Sequence, residues 1–237
     1  MKKYISVFEM ITRNSIYKVI AVLLGMVALE FALWTNAIQS LYETPNLSLE
    51  TMIENSRYVY VLGLAFVLIT VVLSIMGCNI GSNQSYTLSR LSISEKKVFL
   101  LQSVYNSICY LLLWVTQLAV LLLSAGDYMK KASETSNQTI FLAFYRNDLM
   151  HSILPLDDVI GWFVLFFIIV ACGIAAAGFT YQQRRGKVGC EIMILVALTL
   201  LVLPRTLGEG IFLIILCCCV TLPVYWLTSR VARKEQK

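Results

Sequence analysis

The stretch Ser82–Ser103, SNQSYTLSRLSISEKKVFLLQS, lies between two long apolar runs of a 237-residue chain. It is too polar to cross a bilayer, yet its spacing is helical. Ser92-Ile93-Ser94-Glu95 forms an S-x-x-E capping box, in which the serine hydroxyl and the glutamate carboxylate accept backbone N–H bonds reciprocally. That box predicts a helix that starts there and runs on into the following apolar run. Upstream, Leu88 and Leu91 stand three apart and share a face of about two helical turns, while Ser89 and Arg90 point elsewhere. The reading is a short helix lying across the cytoplasmic membrane face, joined by a tight turn to a membrane span. Its length and polarity suit a protein-docking element, with an interfacial connector that docks nothing as the alternative.

Outward from this stretch the chain is oily. Hydrophobic residues make up 58% and charged residues 14%, against about 25% charged in a soluble domain, so the class is an integral membrane protein with one membrane domain, 1–237. Six apolar spans can be read, at 16–38, 58–78, 98–124, 158–180, 188–203 and 210–228. The fold expected is all-α, with six transmembrane helices. Fourteen of the 19 basic residues fall in segments that share a side with the N-terminus, among them Lys2, Lys3, Arg13, Lys18, Arg90, Lys96, Lys97, Arg184 and Arg185. The positive-inside rule puts that side, and both termini, in the cytoplasm. The net charge of +5 then belongs to inner-leaflet anchoring and not to nucleic-acid binding. Trp34, Tyr58, Tyr128 and Trp162 fall at outer span ends, where aromatic belts are expected.

Two further surface elements are expected. Residues 1–17 place Tyr4, Ile5, Phe8, Ile11 and Ser15 on one face, the pattern of an amphipathic interfacial helix lying on the inner leaflet before the first span turns upward. The outer loop, 125–157, repeats Ile140–Phe141, Phe144–Tyr145 and Leu149 at helical spacing. That predicts one helix resting on the outer leaflet and ended by Pro155. The seven cysteines lie in or beside spans without a CxxC pair, and His151 is the single histidine, so neither a disulfide framework nor a metal centre is suggested.

Within the spans, polar residues carry the information. Ser103, Asn106, Tyr110, Trp114 and Gln117 follow one another at spacings of three, four, four and three. Such a seam is costly against lipid and faces protein or a pathway. Glu30 lies well inside the first span, where insertion scales charge about 2.5–3.5 kcal/mol for comparable residues. It needs a partner, a cavity or a proton. Small residues line one face of the second span (Gly63, Thr70, Ser74) and of the fourth (Gly173, Ala177), which permits close helix contact.

The opening stretch also carries a resemblance. SYTLSRLSISEKKVFLLQS resembles the T-L-x-x-L-P-[IV]-S-[RK] cytoplasmic segment of type-2 permeases of ATP-binding cassette exporters. Thr87, Leu88, Leu91, Ile93 and Ser94 match it, Ser92 stands in place of the proline, and Glu95 where a basic residue is common. The six-span pattern with a short fifth span extends the resemblance over the whole chain. It implies a homo- or heterodimer of permease subunits in a bacterial cytoplasmic membrane. Each would dock an ATPase through a coupling segment, 82–97, that includes Tyr86, Thr87, Leu88, Arg90, Leu91, Ile93 and Ser94. Arg184 and Arg185 in the QQRRG turn would form a lesser contact. The chain has no G-x-x-x-x-G-K-[ST] phosphate cradle, so no cofactor is expected here, and ATP and Mg would be held by the partner ATPase subunit. Catalytic residues are none, and Glu30, Asn106, Tyr110, Trp114 and Gln117 are the candidate substrate path or bundle interior. The small size resembles exporters of amphipathic peptides, such as bacteriocin and phenol-soluble-modulin transporters. A secondary transporter or channel, with Glu30 carrying a proton, is the rival reading, followed by a non-transporting immunity protein. An intramembrane enzyme would need clustered His, Asp or Glu that the sequence lacks.

Overall fold

The computed structural model describes residues 2–43, 48–75, 95–131, 137–156 and 159–184. These form seven helices: α1 (Lys2–Glu43), α2 (Leu49–Asn55), α3 (Tyr58–Ile75), α4 (Glu95–Lys131), α5 (Asn137–Arg146), α6 (Asp148–Ile153) and α7 (Val159–Arg184). Among the described residues, three stretches are long and apolar enough to cross a membrane: Ser15–Gln39, Lys96–Lys131 and Val159–Gln183. The pair α2–α3, bent by 49°, makes a fourth if taken as one broken span. The chain is an all-helical membrane protein. The expected spans at 188–203 and 210–228, the coupling residues Tyr86, Thr87, Leu88, Arg90, Leu91, Ile93 and Ser94, and Arg185 lie outside the described residues. Arg184 is the last residue of α7.

Helix α4 organises the bundle, because every other long helix packs on it. Side-chain hydrogen bonds give the directions. Ser15 and Trp34 of α1 meet Tyr105 and Asp127 of α4, so those two helices run parallel. Tyr58 and Thr70 of α3 meet Ser124 and Tyr110, so α3 runs the opposite way. Phe99 against Tyr181 and Trp114 against Trp162 set α7 antiparallel as well. The described spans therefore alternate up and down along the chain. Lys18, Lys96 and Lys97 share one end, and Asp127, Lys130 and Lys131 lie at the other.

The N-terminal expectation is corrected. Residues 2–43 form one uninterrupted helix, with no turn between an interfacial segment and a span. No proline or glycine stands between Lys2 and Val19 to end the first turns. The apolar face also stays in phase with the span: Ile11, Ser15, Val19, Leu23, Met26, Glu30, Trp34 and Ile38 are all buried, at spacings of three or four. Of the face read as lipid-bound, Phe8, Ile11 and Ser15 pack on protein instead. Phe8 sits edge-on to Tyr105 at 6.0 Å between ring centroids, and Ile11 is 1% exposed.

The outer region differs too. Helix α4 continues past 124 to Lys131, closed by a 3.0 Å Lys131–Asp127 bridge one turn apart that places basic residues in its last turn. At about 1.5 Å per residue its length is near 55 Å, well beyond a hydrocarbon core of about 30 Å. The single helix expected over Ile140–Leu149 is two. Asn147 breaks it by leaving the helical region and capping α6, its Oδ1 accepting from the Met150 N–H at 3.1 Å. Helix α6 ends at Ile153, two residues before Pro155, as the proline requires. It does not rest on a surface: Leu149, Met150, His151 and Ile153 are buried. The aromatic belt reading fails for the same reason at Trp34, Tyr58 and Tyr128, which are buried in the bundle.

Candidate functional site

The polar seam of α4 faces inward. Ser103, Asn106, Tyr110 and Gln117 are all buried, with Asn106 and Gln117 fully enclosed, and Trp114 is half-buried. Gln102, Tyr105 and Ser124 extend the buried polar groups at both ends. A helix that buries this many polar atoms in a membrane bundle must bond them across to its neighbours. Most of the seam does so.

Each contact has a directional logic. Thr70 Oγ1 donates to the Phe66 carbonyl at 2.8 Å, so the Tyr110 hydroxyl, 2.9 Å away, is the donor in their bond. Ser15 Oγ likewise donates to Ile11, and Tyr105 OH donates to Ser15 at 2.6 Å. Tyr58 OH and Ser124 Oγ lie 3.3 Å apart. Trp34 Nε1 donates to Asp127 Oδ2 at 3.1 Å, and Trp114 Nε1 donates to the Ile153 carbonyl at 3.0 Å, which ties α6 to the middle of α4. Bonds of this kind average about 0.6 kcal/mol in membrane proteins. Their sum is modest, so they set helix register more than they set stability.

Helices α4 and α7 bring their backbones into close contact at Gly173. A Cβ built on Gly173 would run into Ser107 Oγ and come within 2.7 Å of the Ser107 backbone nitrogen. Only glycine lets the backbones approach so closely. Asn106 Nδ2 donates a long, 3.4 Å bond to the Gly173 carbonyl at the same level, while Asn106 Oδ1 is buried without a partner. On the outer side of this pair a groove of about 550 Å³ runs past Phe99, Leu100, Val104, Ile108 and Phe166, with Lys96 at one end. Its lining is apolar, as a surface meeting acyl chains should be.

Glu30 stands outside this pairing, together with Gln117. It projects from α1 into the α1–α4 contact, between the Ser15–Tyr105 and Trp34–Asp127 bonds, and is 0% exposed. Gln117, also 0% exposed, is the α4 side chain that approaches it. All four of their terminal polar atoms are buried without a regular hydrogen bond. Tyr58 of α3 lies within electrostatic range of the carboxyl. Sequence reasoning singled out both residues but did not pair them. Their pairing follows from the parallel registration of α1 and α4, which no local pattern encodes. It missed Ser15, Tyr58, Tyr105, Ser124 and Asp127 as members of the network; for Ser15 and Ser124 the helical phase shared with Glu30 and Gln117 was the available signal.

The structure thus brings Glu30, Asn106, Tyr110, Trp114 and Gln117 to one interior. Comparison with family models, with curated proteins and with solved structures finds no match to this chain.

Proposed function

We propose that the chain is the membrane-spanning permease subunit of an ATP-binding cassette exporter, moving an amphipathic or hydrophobic substrate of the peptide class, with ATP hydrolysed by a separate subunit. The observation that carries this reading is the stretch SYTLSRLSISE, which runs directly into Glu95, the first residue of α4. A force applied to that stretch reaches the one helix on which α1, α3 and α7 all pack. A rigid helix carrying a buried polar seam is a suitable receiver of such a force, since packed interfaces rearrange between discrete states. The apolar, helix-only composition and the absence of a phosphate cradle in the sequence support a transport subunit that depends on a partner for energy.

The test is mechanical. Replacing Leu88 and Leu91 together by Asp puts two anions on the face assigned to the ATPase, where desolvating an unpaired charge is strongly unfavourable. The double variant is expected to insert and express normally and to lose the ATPase that copurifies with the wild-type chain. Ser92→Pro, which suits the first turn of a helix, is expected to retain it. Retention of ATPase and transport by the double-aspartate variant would remove the main support for the exporter reading. The buried Glu30 favours a second reading, a proton-coupled secondary transporter, and an ATPase that never copurifies with the wild type would turn the choice toward it.

A further inference from the structure

Two whole polar side chains, Glu30 of α1 and Gln117 of α4, approach each other in a fully enclosed contact, their four terminal polar atoms without a regular hydrogen bond. Drawn as a carboxylate, Glu30 cannot repair this. A carboxylate only accepts, so Gln117 Nε2 can serve one of its oxygens, while Gln117 Oε1 and the second carboxylate oxygen remain two acceptors without a donor. A full negative charge would remain as well. The surrounding elements offer nothing to neutralise it among the described residues. Helix α3 presents Tyr58, whose hydroxyl pairs with Ser124, and Arg57 just before it is exposed to solvent. Helix α4 presents neutral Gln117, and ten residues on Asp127, itself an anion bonded to Trp34 and Lys131. From α7 the nearest group recorded at this level is the Trp162 ring against Trp114. On α1 itself the nearest cations are Arg13 and Lys18, both exposed and at least about 18 Å back along the helix.

One proton changes the count. A neutral carboxyl has an O–H to give to Gln117 Oε1 and a carbonyl oxygen to accept from Gln117 Nε2, closing a ring of two hydrogen bonds that satisfies all four atoms and leaves no charge. We propose that Glu30 is a proton-binding site, its carboxyl held as the neutral acid in a reciprocal pair with the Gln117 carboxamide between α1 and α4. Such a pair stays closed while the seam is dry and gives up its proton when the α1–α4 contact takes up water. The inference holds under either transport reading, because it rests on the contact alone.

Infrared spectroscopy of the purified full chain in detergent micelles tests it without reference to transport or to an ATPase. At neutral pH the wild type is expected to show a carboxylic-acid C=O band that moves down in D2O and is missing from Glu30→Gln. Glu30→Gln, the isostere of the neutral acid, should melt with the wild type. In Gln117→Leu the acid loses its acceptor, and the band should move to higher frequency. A carboxylate stretch in the wild-type minus Glu30→Gln difference at neutral pH overturns the proposal. A band that gives way to the carboxylate stretch when choline chloride is replaced by sodium chloride also overturns it, in favour of a metal cation. Should Glu30→Gln not fold, an acid band left unmoved by Gln117→Leu has the same force.

Discussion

Substitution of Gly173 by alanine tests the packing that positions the seam. The added Cβ meets Ser107 Oγ, which can rotate away, but it also comes within 2.7 Å of the Ser107 nitrogen and 2.9 Å of its Cα. Those backbone atoms belong to a helix and move only if α4 and α7 separate. Overpacking of this kind costs about 1–3 kcal/mol. Separation also lengthens the Asn106–Gly173 bond, already 3.4 Å, and breaking it strands a second buried amide atom at a further cost of about 1 kcal/mol. Alanine's better helix propensity returns about 1 kcal/mol, so the net expectation is a loss of about 1–3 kcal/mol. Two glycines in the same kind of helix serve as controls, since Gly25 and Gly126 have nothing within 4 Å of an added Cβ. Gly25→Ala and Gly126→Ala should be neutral or stabilising by about 0.5–1 kcal/mol. Thermal unfolding of the three purified variants, followed by the loss of monodisperse protein on size exclusion, ranks them. If Gly173→Ala unfolds at or above the temperature of the two controls, the close approach of α4 and α7 is wrong.

The tyrosine bonds predict an asymmetry between partners. Thr70→Val leaves the buried Tyr110 hydroxyl without an acceptor and should cost about 1–3 kcal/mol, whereas Tyr110→Phe, which removes the donor and leaves Thr70 bonded to Phe66, should cost about 0.5–1.5 kcal/mol. The same unfolding assay should show the double variant no worse than Thr70→Val. Arg57 is exposed and sits in the left-handed region at φ 53° between α2 and α3, a conformation that costs a side-chain-bearing residue about 1–2 kcal/mol. Arg57→Gly should therefore raise the unfolding temperature, and a lowered one would show that its side chain holds the bend.

The apolar runs were legible because a membrane span must satisfy its own backbone and so writes its length into composition. The expected 16–38 falls within Ser15–Gln39, and the expected 158–180 overlaps Val159–Gln183 in all but its first residue. The inward face of α4 was legible for a related reason: Ser103, Asn106, Tyr110 and Gln117 cannot lie at those spacings against lipid. Failures came where a pattern had two solutions. An amphipathic start to α1 serves a leaflet or a neighbouring helix equally well, and only the phase carried from Ile11 through Glu30 to Trp34 distinguishes them. Tyr58 and Trp34 suit a headgroup belt by position, but their polar tips find Ser124 and Asp127 instead. Asn147 reads as an ordinary polar residue within a helical pattern, and its capping role depends on the chain turning there. The meeting of Glu30 with Gln117 depends on how two helices register, information held by the whole α1–α4 contact.

Were α4 to tilt about the tight crossing at Gly173, it would move as a lever. Ser107 is the fulcrum, about 18 Å from the Glu95 end and about 36 Å from the Lys131 end at 1.5 Å per residue. A rigid rod tilting about that point carries its far tip about twice as far as its near one, in the opposite direction. A displacement of about 2 Å at Glu95 thus becomes about 4 Å at Lys131, where Asp127 holds α1 through Trp34. Gearing of this kind turns a small push on one side of the membrane into a larger swing on the other, set by where along the helix a single glycine allows its neighbour to touch.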